Sequence, residues 1–265
     1  MTPLGGGNGM KIALVATEKL PVPAIRGGAI QIYLEAIAPI LAKKHQVTVF
    51  SIKDDALPAV ETRDRVRYVR FNQEAYLPSI MNFLSTETFD VIHVCNRPHW
   101  MTKLREKADR TKFILSVHNE MFADGKIDLS QGEEVIANVS KIVTVSDFIG
   151  RTISDRFPTA RNKLETVYSG VDISHYSPVW TKEGQEKNLA MREKLAVRDK
   201  KIILFVGRLS KVKGPHILLQ ALPELIESHP EVSLVFIGSK WFGDDEVNNY
   251  VKYLYRLGNL YPDHV

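Results

Sequence analysis

The run from Ile202 to Gly238, IILFVGRLSKVKGPHILLQALPELIESHPEVSLVFIG, constrains the fold of this 265-residue chain more than any other segment. Its pattern predicts an apolar strand, a tight turn, a helix and a second apolar strand. Gly214 and Pro215 suit the N-cap and the first position of the helix, which is predicted over 214–227. Apolar strands joined by a helix in this way are typical of a parallel α/β sheet.

The turn after the first strand of this run carries two basic residues, Arg208 and Lys213. Ligands of open α/β sheets bind at the carboxyl ends of the strands, where a helix N-terminus adds partial positive charge and unpaired N–H groups. Two fixed cations at this place favour a phosphate-bearing ligand, and they would stabilise a departing diphosphate without a metal ion. The alternative is that both are solvated residues of a surface turn.

Apolar strands alternate with helices along the rest of the chain. A helix is predicted over 28–43, and another over 146–156, which Ser146 would cap. Further strands are predicted over residues 11–16, 47–52, 66–71, 91–95, 113–117, 142–145 and 166–168. Several of these runs are apolar nearly throughout, as expected for strands that are covered on both faces.

This alternation predicts an α/β chain with two domains, each built on a parallel sheet. We expect a flexible tail over 1–9, an N-terminal domain over 10–178, an interdomain connection over 179–199 and a second domain over 200–265. The connection is polar and charged, and only a short helical piece is predicted within it, near 189–195. A doubly wound domain normally has about five or six strands. The second domain has only two clear strands and is therefore predicted to be incomplete.

Composition narrows the class of protein. The chain is 44% hydrophobic and 25% charged with a net charge of +4, and it contains no dense Lys/Arg block, so nucleic acid is not an expected partner. The single cysteine, Cys95, fits a reducing compartment, and we expect a cytoplasmic location. No apolar run approaches the ~20 residues of a membrane helix. The first nine residues do not have the pattern of a signal peptide.

Two further places in the N-terminal domain are candidates for a site. Gly27 and Gly28 follow the first strand and open the first helix, where glycines let the backbone approach a phosphate or a sugar closely. A plain loop that needs unusual dihedral angles is the alternative. His118 follows the strand FILSV, where it could hydrogen-bond a sugar hydroxyl or move a proton. A structural histidine is the alternative there.

Several other chemistries have no support in the sequence. The dinucleotide pattern G-x-G-x-x-G, the Walker pattern and the G-x-S-x-G elbow do not occur. Histidines with zinc spacing and an Asp-x-Asp triplet do not occur either, so no metal site is expected. Asp244 and Asp245 are predicted to begin a helix, where acidic residues suit the N-terminal dipole.

Five segments together resemble the retaining glycosyltransferases of family 4. They occur in the family's order and spacing, and they are PVPAIRGGAIQIYLEAIAPILAKKH, ILSVHNE, IVTVSDFIG, VYSGVD and FVGRLSKVKGPHILLQAL. The resemblance implies a GT-B fold, in which two Rossmann-like domains face each other. It also implies that a hexosyl group is transferred from a nucleotide sugar to an acceptor, with retention at the anomeric carbon and without a metal ion or other cofactor.

The resemblance assigns roles to the candidate residues. Arg208 and Lys213 correspond to the basic pair that holds the donor diphosphate, and Gly27 and Gly28 lie in the glycine loop near the donor phosphate and the acceptor. His118 corresponds to the histidine near the donor sugar, which makes it the catalytic candidate. Ser146 begins a segment that lines the cleft, and Gly170 leads to the hinge. The likeness extends to a spore-coat member of the family, which implies coat proteins as partners, the spore coat as the alternative location and a coat or envelope glycan as a candidate acceptor.

The resemblance also has a gap. In this family a Glu-x7-Glu element in the distal half of the second domain binds the donor. The sequence does not contain that half of the second domain. We therefore expect the chain to be inactive alone. A non-catalytic, coat-associated structural protein is the second hypothesis, and a nucleotide-sugar epimerase is the third. The sequence does not identify the donor base, the sugar or the acceptor.

Overall fold

A computed structural model describes residues 9–240 and 247–265. The predicted tail therefore lies outside the described residues except for Gly9, and so does the predicted helix start at Asp244 and Asp245. The chain divides into two compact units, Met1–Gly170 and Val171–Val265. This division comes earlier than the boundary after residue 178 that the sequence predicts.

The first unit contains one eight-stranded sheet in the order β3-β4-β2-β1-β5-β6-β7-β8. Its strands are β1 (Lys11–Val15), β2 (Gln46–Ile52), β3 (Val60–Arg63), β4 (Val66–Phe71), β5 (Val91–Cys95), β6 (Lys112–Val117), β7 (Lys141–Thr144) and β8 (Leu164–Thr166). Neighbouring strands are parallel except for β3 and β4, which are antiparallel. The predicted parallel α/β sheet is confirmed.

Helices cover both faces of this sheet, which explains why its central strands are apolar runs. They are α1 (Ala29–Leu41), α2 (Tyr76–Leu84), α3 (Met101–Arg105), α4 (Leu129–Asn138) and α5 (Asp147–Arg156). One core cluster includes Leu14, Leu34 and Val49, and a second includes Val15 and Phe50. Successive residues of one strand thus pack on opposite faces, so both cores hold the same strand in place.

The structure differs from the prediction at the edges of the sheet and in the connection. Strand β3 has the sequence VETR and is largely exposed, so it lacks the apolar run that predicts a buried strand. Strand β8 begins at Leu164 and not at residue 166. The connection contains a complete helix, α6 (Lys182–Lys194), which Thr181 caps by accepting a hydrogen bond from the Gly184 N–H at 3.1 Å. Its hydrophobic pattern is weak because the helix is almost entirely exposed, and sequence periodicity therefore missed its length.

The second unit contains a two-stranded parallel sheet in the described residues, formed by β9 (Lys201–Val206) and β10 (Val232–Ile237). The helix between them is α7 (Pro215–Ser228), and α8 (Asn249–Gly258) follows later in the chain. Leu219 and Leu222 of α7 pack with Leu234 and Leu254 in the core of this unit. The strand, turn, helix and strand predicted for residues 202–238 are confirmed.

Candidate functional site

The order of the strands marks the carboxyl end of the sheet as a candidate binding edge in the first unit. Strand β1 lies between β2 and β5; the chain passes from β1 to β2 on one side and later continues through β5, β6, β7 and β8 on the other. Ligands of open α/β sheets bind at such a reversal of strand order, outside the carboxyl ends of the strands. The segments that follow β1, β5, β6 and β7 surround this edge, and they carry Gly27, Gly28, His118 and Ser146 among the predicted site residues.

Gly27 and Gly28 have backbone conformations that favour glycine. Their φ angles are 76° and 98°, and Gly28 is the N-cap of α1. A β carbon on Gly28 would lie 2.4 Å from Oε1 of Gln31. The side-chain amide of buried Gln31 donates to Thr17 Oγ1 at 3.3 Å and to the Leu20 carbonyl at 3.2 Å. The loop after β1 is therefore packed against the start of α1, and the positive φ of Gly28 favours glycine at this position.

His118 is the first residue after β6 and is partly buried. Its backbone N–H donates to Oδ1 of Asn96 at 3.0 Å, and its ring meets the ring of Tyr33 edge to face at 5.4 Å between centroids. Nε2 of His118 is buried without a hydrogen-bond partner in the described chain. Burial lowers the pKa of His118 to about 4, so the imidazole is neutral at physiological pH.

A second histidine lies below this position, inside the sheet. His93 in β5 is buried, and its Nε2 forms a hydrogen bond with Oγ of Ser116 in β6. Burial, with a smaller contribution from His118, lowers the pKa of His93 to about 4. His93 is thus a packed histidine of the core.

Glu18 and Arg97 form an ion pair that the sequence did not reveal. Arg97 donates from Nε and Nη2 to the two carboxylate oxygens of Glu18, at 2.7 and 2.8 Å. The guanidinium also lies 5.6 Å from the ring centroid of Trp100. Burial raises the pKa of the Glu18 carboxyl, but the hydrogen bond from Arg97, a backbone hydrogen bond and the charges of Arg97 and Lys19 together outweigh it, so the pKa is lower than usual. Both residues follow the carboxyl ends of strands, which is the signal that could have suggested them.

The surroundings of Ser146 and Gly170 are those of a helix cap and of an exposed loop residue, respectively. The Ser146 hydroxyl accepts a hydrogen bond from the Ile149 N–H at 3.3 Å and is the predicted N-cap of α5. Gly170 is exposed, and a β carbon placed on it would meet nothing within 4 Å. The capping bond gives Ser146 a role that needs no ligand.

In the second unit, Arg208 and Lys213 lie between β9 and α7, as predicted. Lys213 ends a 3₁₀ turn, Lys211–Lys213, and is exposed, whereas Arg208 is partly buried. Gly214 follows with a left-handed φ of 72° and is the N-cap of α7, which begins with Pro215. Both cations therefore lie in the segment that connects the end of β9, an apolar strand that is only partly buried, with the N-terminus of a 14-residue helix.

One contact in this unit was not predicted. The hydroxyl of Tyr250 in α8 lies 2.8 Å from Nδ1 of His216, in the first turn of α7. This hydrogen bond ties the start of α7 to α8 next to the basic pair. The sequence shows His216 at the start of a helix, but it does not show that α8 returns to it.

Residues 9–240 and 247–265 contain no group of three or more His, Cys, Asp or Glu side chains placed to hold a metal ion. Among these residues, no helix is both long and apolar enough to cross a bilayer.

Comparison with protein families gives two matches. Residues 27–175 match the model of Glycosyltransferase Family 4, and residues 187–260 match the model of Glycosyl transferases group 1. The first match contains Gly27, Gly28, His118, Ser146 and Gly170. The second contains Arg208 and Lys213.

Two proteins of Bacillus subtilis are similar to this chain over nearly its whole length. Spore coat protein SA is 62% identical over 97% of the chain, which covers 68% of that protein. A protein named as the glycosyltransferase YtcC is 45% identical over 97% of the chain, which covers 63% of it. The chain thus spans about two thirds of the length of these relatives.

Solved structures show the fold. Anabaena HepE, in a complex with UDP and glucose, has a TM-score of 0.69 at 19% identity, over 95% of this chain and 66% of its own. A glycosyltransferase from Rickettsia africae has a TM-score of 0.69 at 20% identity, over 97% of this chain and 66% of its own. The chain shares the GT-B fold with them.

Proposed function

The chain belongs to glycosyltransferase family 4, and from this premise we propose that it takes part in transfer of a hexosyl group from a nucleotide-diphosphate sugar to an acceptor, with retention at the anomeric carbon. The bond from the anomeric carbon to the phosphate oxygen breaks, and a bond to an acceptor hydroxyl oxygen forms. The hydroxyl proton passes to the departing diphosphate. The position of Arg208 and Lys213 before α7 is the observation that carries this proposal.

In this proposal the second unit binds the donor diphosphate. A guanidinium grips two phosphate oxygens, and an ammonium adds a point charge, so the pair stabilises negative charge as it develops on the leaving group. The N-terminus of α7 contributes partial positive charge at the same place. That the structure of HepE holds UDP supports a uridine nucleotide as the first probe.

The first unit contributes the other proposed residues. Gly27 and Gly28 allow close approach of the backbone to the donor phosphate and the acceptor, and His118 hydrogen-bonds the donor sugar as a neutral imidazole. Ser146 and Gly170 belong to segments that line the cleft and lead to the hinge. Coat proteins as partners, and a coat or envelope glycan as acceptor, are proposed because a 62% identical relative is a spore coat protein.

Binding of UDP to the purified chain tests the donor site, measured by isothermal titration calorimetry. Loss of a charge-assisted hydrogen bond costs about 1.5–3 kcal/mol, so we expect Arg208→Ala to weaken binding roughly 10- to 100-fold. Lys213→Ala should weaken it as well. Lys211→Ala removes an equally exposed lysine from the same turn and serves as the matched control. Equal affinities for all four proteins would contradict the proposed site.

A second candidate function is a non-catalytic component of the spore coat, which the name of the 62% identical relative favours. Incubation of the chain with UDP-glucose and other nucleotide sugars distinguishes the two. Release of UDP that Arg208→Ala abolishes would support an enzyme active alone. UDP binding without release would support the expectation that this chain is inactive alone, whereas neither binding nor release favours the coat component.

A further inference from the structure

A chain of polar contacts joins the carboxyl ends of three neighbouring strands in the first unit. Glu18 follows β1, Asn96 and Arg97 follow β5, and His118 follows β6. Strand β5 lies between β1 and β6, so these residues are neighbours at this edge of the sheet although the chain separates them widely. Each step between them is a hydrogen bond of 2.7 to 3.0 Å.

Asn96 is the centre of this chain of contacts. It is 5% exposed and has a left-handed φ of 55°, a conformation in which asparagine is enriched. Its backbone N–H donates to the Ser116 carbonyl at 2.7 Å, continuing the β5–β6 ladder. Its side-chain Oδ1 then accepts the backbone N–H of His118 at 3.0 Å. The side chain thus supplies an acceptor for the first residue beyond the end of β6.

Arg97 fixes Asn96 from the other side. Its Nη1 donates to the Asn96 carbonyl at 2.8 Å, while Nε and Nη2 grip the carboxylate of Glu18. The side chains of Arg97 and Glu18 are only 17% and 24% exposed. A bidentate pair with this burial holds its geometry better than a solvated surface pair does. The guanidinium therefore connects Glu18 after β1 with Asn96 after β5.

We propose that Asn96 is a positioning residue for His118, and that the Glu18–Arg97 ion pair holds Asn96 in the conformation this requires. The amide of Asn96 sets the backbone of His118, and the ring then packs edge to face on Tyr33 with Nε2 buried and unpartnered. Preorganisation of this kind lowers the cost of ordering a binding side chain when its ligand arrives. The positioning of His118 by Asn96 does not depend on the proposed function; only the role of His118 in binding the donor sugar rests on it.

The imidazole NMR signals of His118 in the ligand-free, ¹⁵N-labelled chain test this proposal. The signals are assigned by their loss in His118→Gln. We expect Asn96→Gly, which keeps the left-handed backbone accessible but removes the amide, to shift them. Asn96→Asp keeps an acceptor oxygen at the same position and should restore them. A purely structural role would lower the melting temperature of Asn96→Gly and leave the signals of His118 in place.

A matched control separates the ion pair from general effects of charge. Glu18→Gln weakens the grip on Arg97 and should move the His118 signals in the direction that Asn96→Gly moves them. Glu87→Gln breaks the Arg67–Glu87 pair, which has the same 2.8 Å distance at another place in the unit, and should leave them unchanged. Unchanged signals in Asn96→Gly, or a failure of Asn96→Asp to restore them, would overturn the proposal. The NMR measurement needs no nucleotide, so failure of this proposal can be distinguished from failure of the donor site that the UDP titration tests.

Discussion

Gly238 lies so close to Gly207 that a β carbon placed on Gly238 would be 1.8 Å from the Gly207 carbonyl oxygen. The two glycines follow β10 and β9, and the Gly207 N–H donates to the Ile237 carbonyl at 3.0 Å between them. The backbones of the neighbouring strands therefore approach each other where the chain enters the segment of Arg208. No side chain larger than hydrogen fits at this position without a backbone shift.

Gly238→Ala is accordingly expected to destabilise the second unit by about 3 kcal/mol or more, because the overlap is with backbone and cannot be relieved by a rotamer change. Unfolding by urea, followed by circular dichroism, measures the effect. Gly170→Ala is the control, since a β carbon there meets nothing within 4 Å, and it should stay within about 0.5 kcal/mol of the parent. Equal stability of the two variants would contradict the close approach.

Arg70 is expected to be the most sensitive charged residue of the first unit. Its fully buried side chain donates to the Val22 carbonyl at 2.8 and 3.0 Å, to the Pro58 carbonyl at 2.6 Å and to Glu61 at 2.6 Å. Arg70→Met leaves these acceptors unpaired and should cost about 3–5 kcal/mol, measured by urea unfolding.

Arg63→Met tests the same change of residue type at the surface. Arg63 pairs with Glu35 at 3.4 Å, and both side chains are substantially exposed, so the loss should be at most about 1 kcal/mol. If Arg70→Met were no more damaging than Arg63→Met, the buried network would have no structural role.

Stability is expected to fall as the pH is lowered from 6.5, because both His93 and His118 have a pKa of about 4 in the folded chain. The unfolded chain, with a pKa near 6.5, binds more protons in this window, so the free energy of unfolding rises with pH between about 4 and 6.5. Above pH 6.5 the contribution of the two neutral histidines to the free energy of unfolding is fully present. Urea midpoints at pH 7, 6 and 5 measure it.

His118→Gln serves as the control for the pH series. It removes one of the two groups and should flatten the dependence between pH 5 and 6.5, whereas the effect of His93 persists. The pKa of the Glu18 carboxyl is lower than usual, so the loss of its charge is shifted toward lower pH and away from the upper part of this window. A midpoint that does not change between pH 7 and 5 would contradict the buried neutral histidines.

The parallel sheet and the position of most candidate residues could be predicted from the sequence, for a physical reason. Strands covered on both faces must be apolar throughout, and residues directly after such runs lie at one edge of the sheet. This pattern predicts the positions of His118 and Ser146, whereas Arg208 follows an apolar run, β9, whose residues are only partly buried or exposed. The exposed strand β3 and helix α6 were missed or shortened because neither buries enough side chains to leave an apolar pattern.

Contacts between distant segments could not be predicted in the same way. Glu18 and Arg97 are 79 residues apart, and their pairing requires that β1 and β5 be neighbours. The sequence shows which residues end strands, but the order of strands depends on how all the helices pack. For the same reason the hydrogen bond between Tyr250 and His216 became visible only in the structure.

Ser146 offers a way to separate a structural role from a role in binding. Its hydroxyl caps α5 through the Ile149 N–H, so Ser146→Ala should cost about 1 kcal/mol of stability, and Ser146→Asn should recover most of it. Ser154→Ala, which removes a hydroxyl bonded to the Arg151 carbonyl at 3.1 Å in the same helix, is the control and should have little effect. If capping is the whole role of Ser146, the affinity for UDP measured by calorimetry stays that of the parent in all three variants. A loss of UDP affinity in Ser146→Ala that Ser146→Asn does not restore would instead support the proposed place of Ser146 in the lining of the cleft.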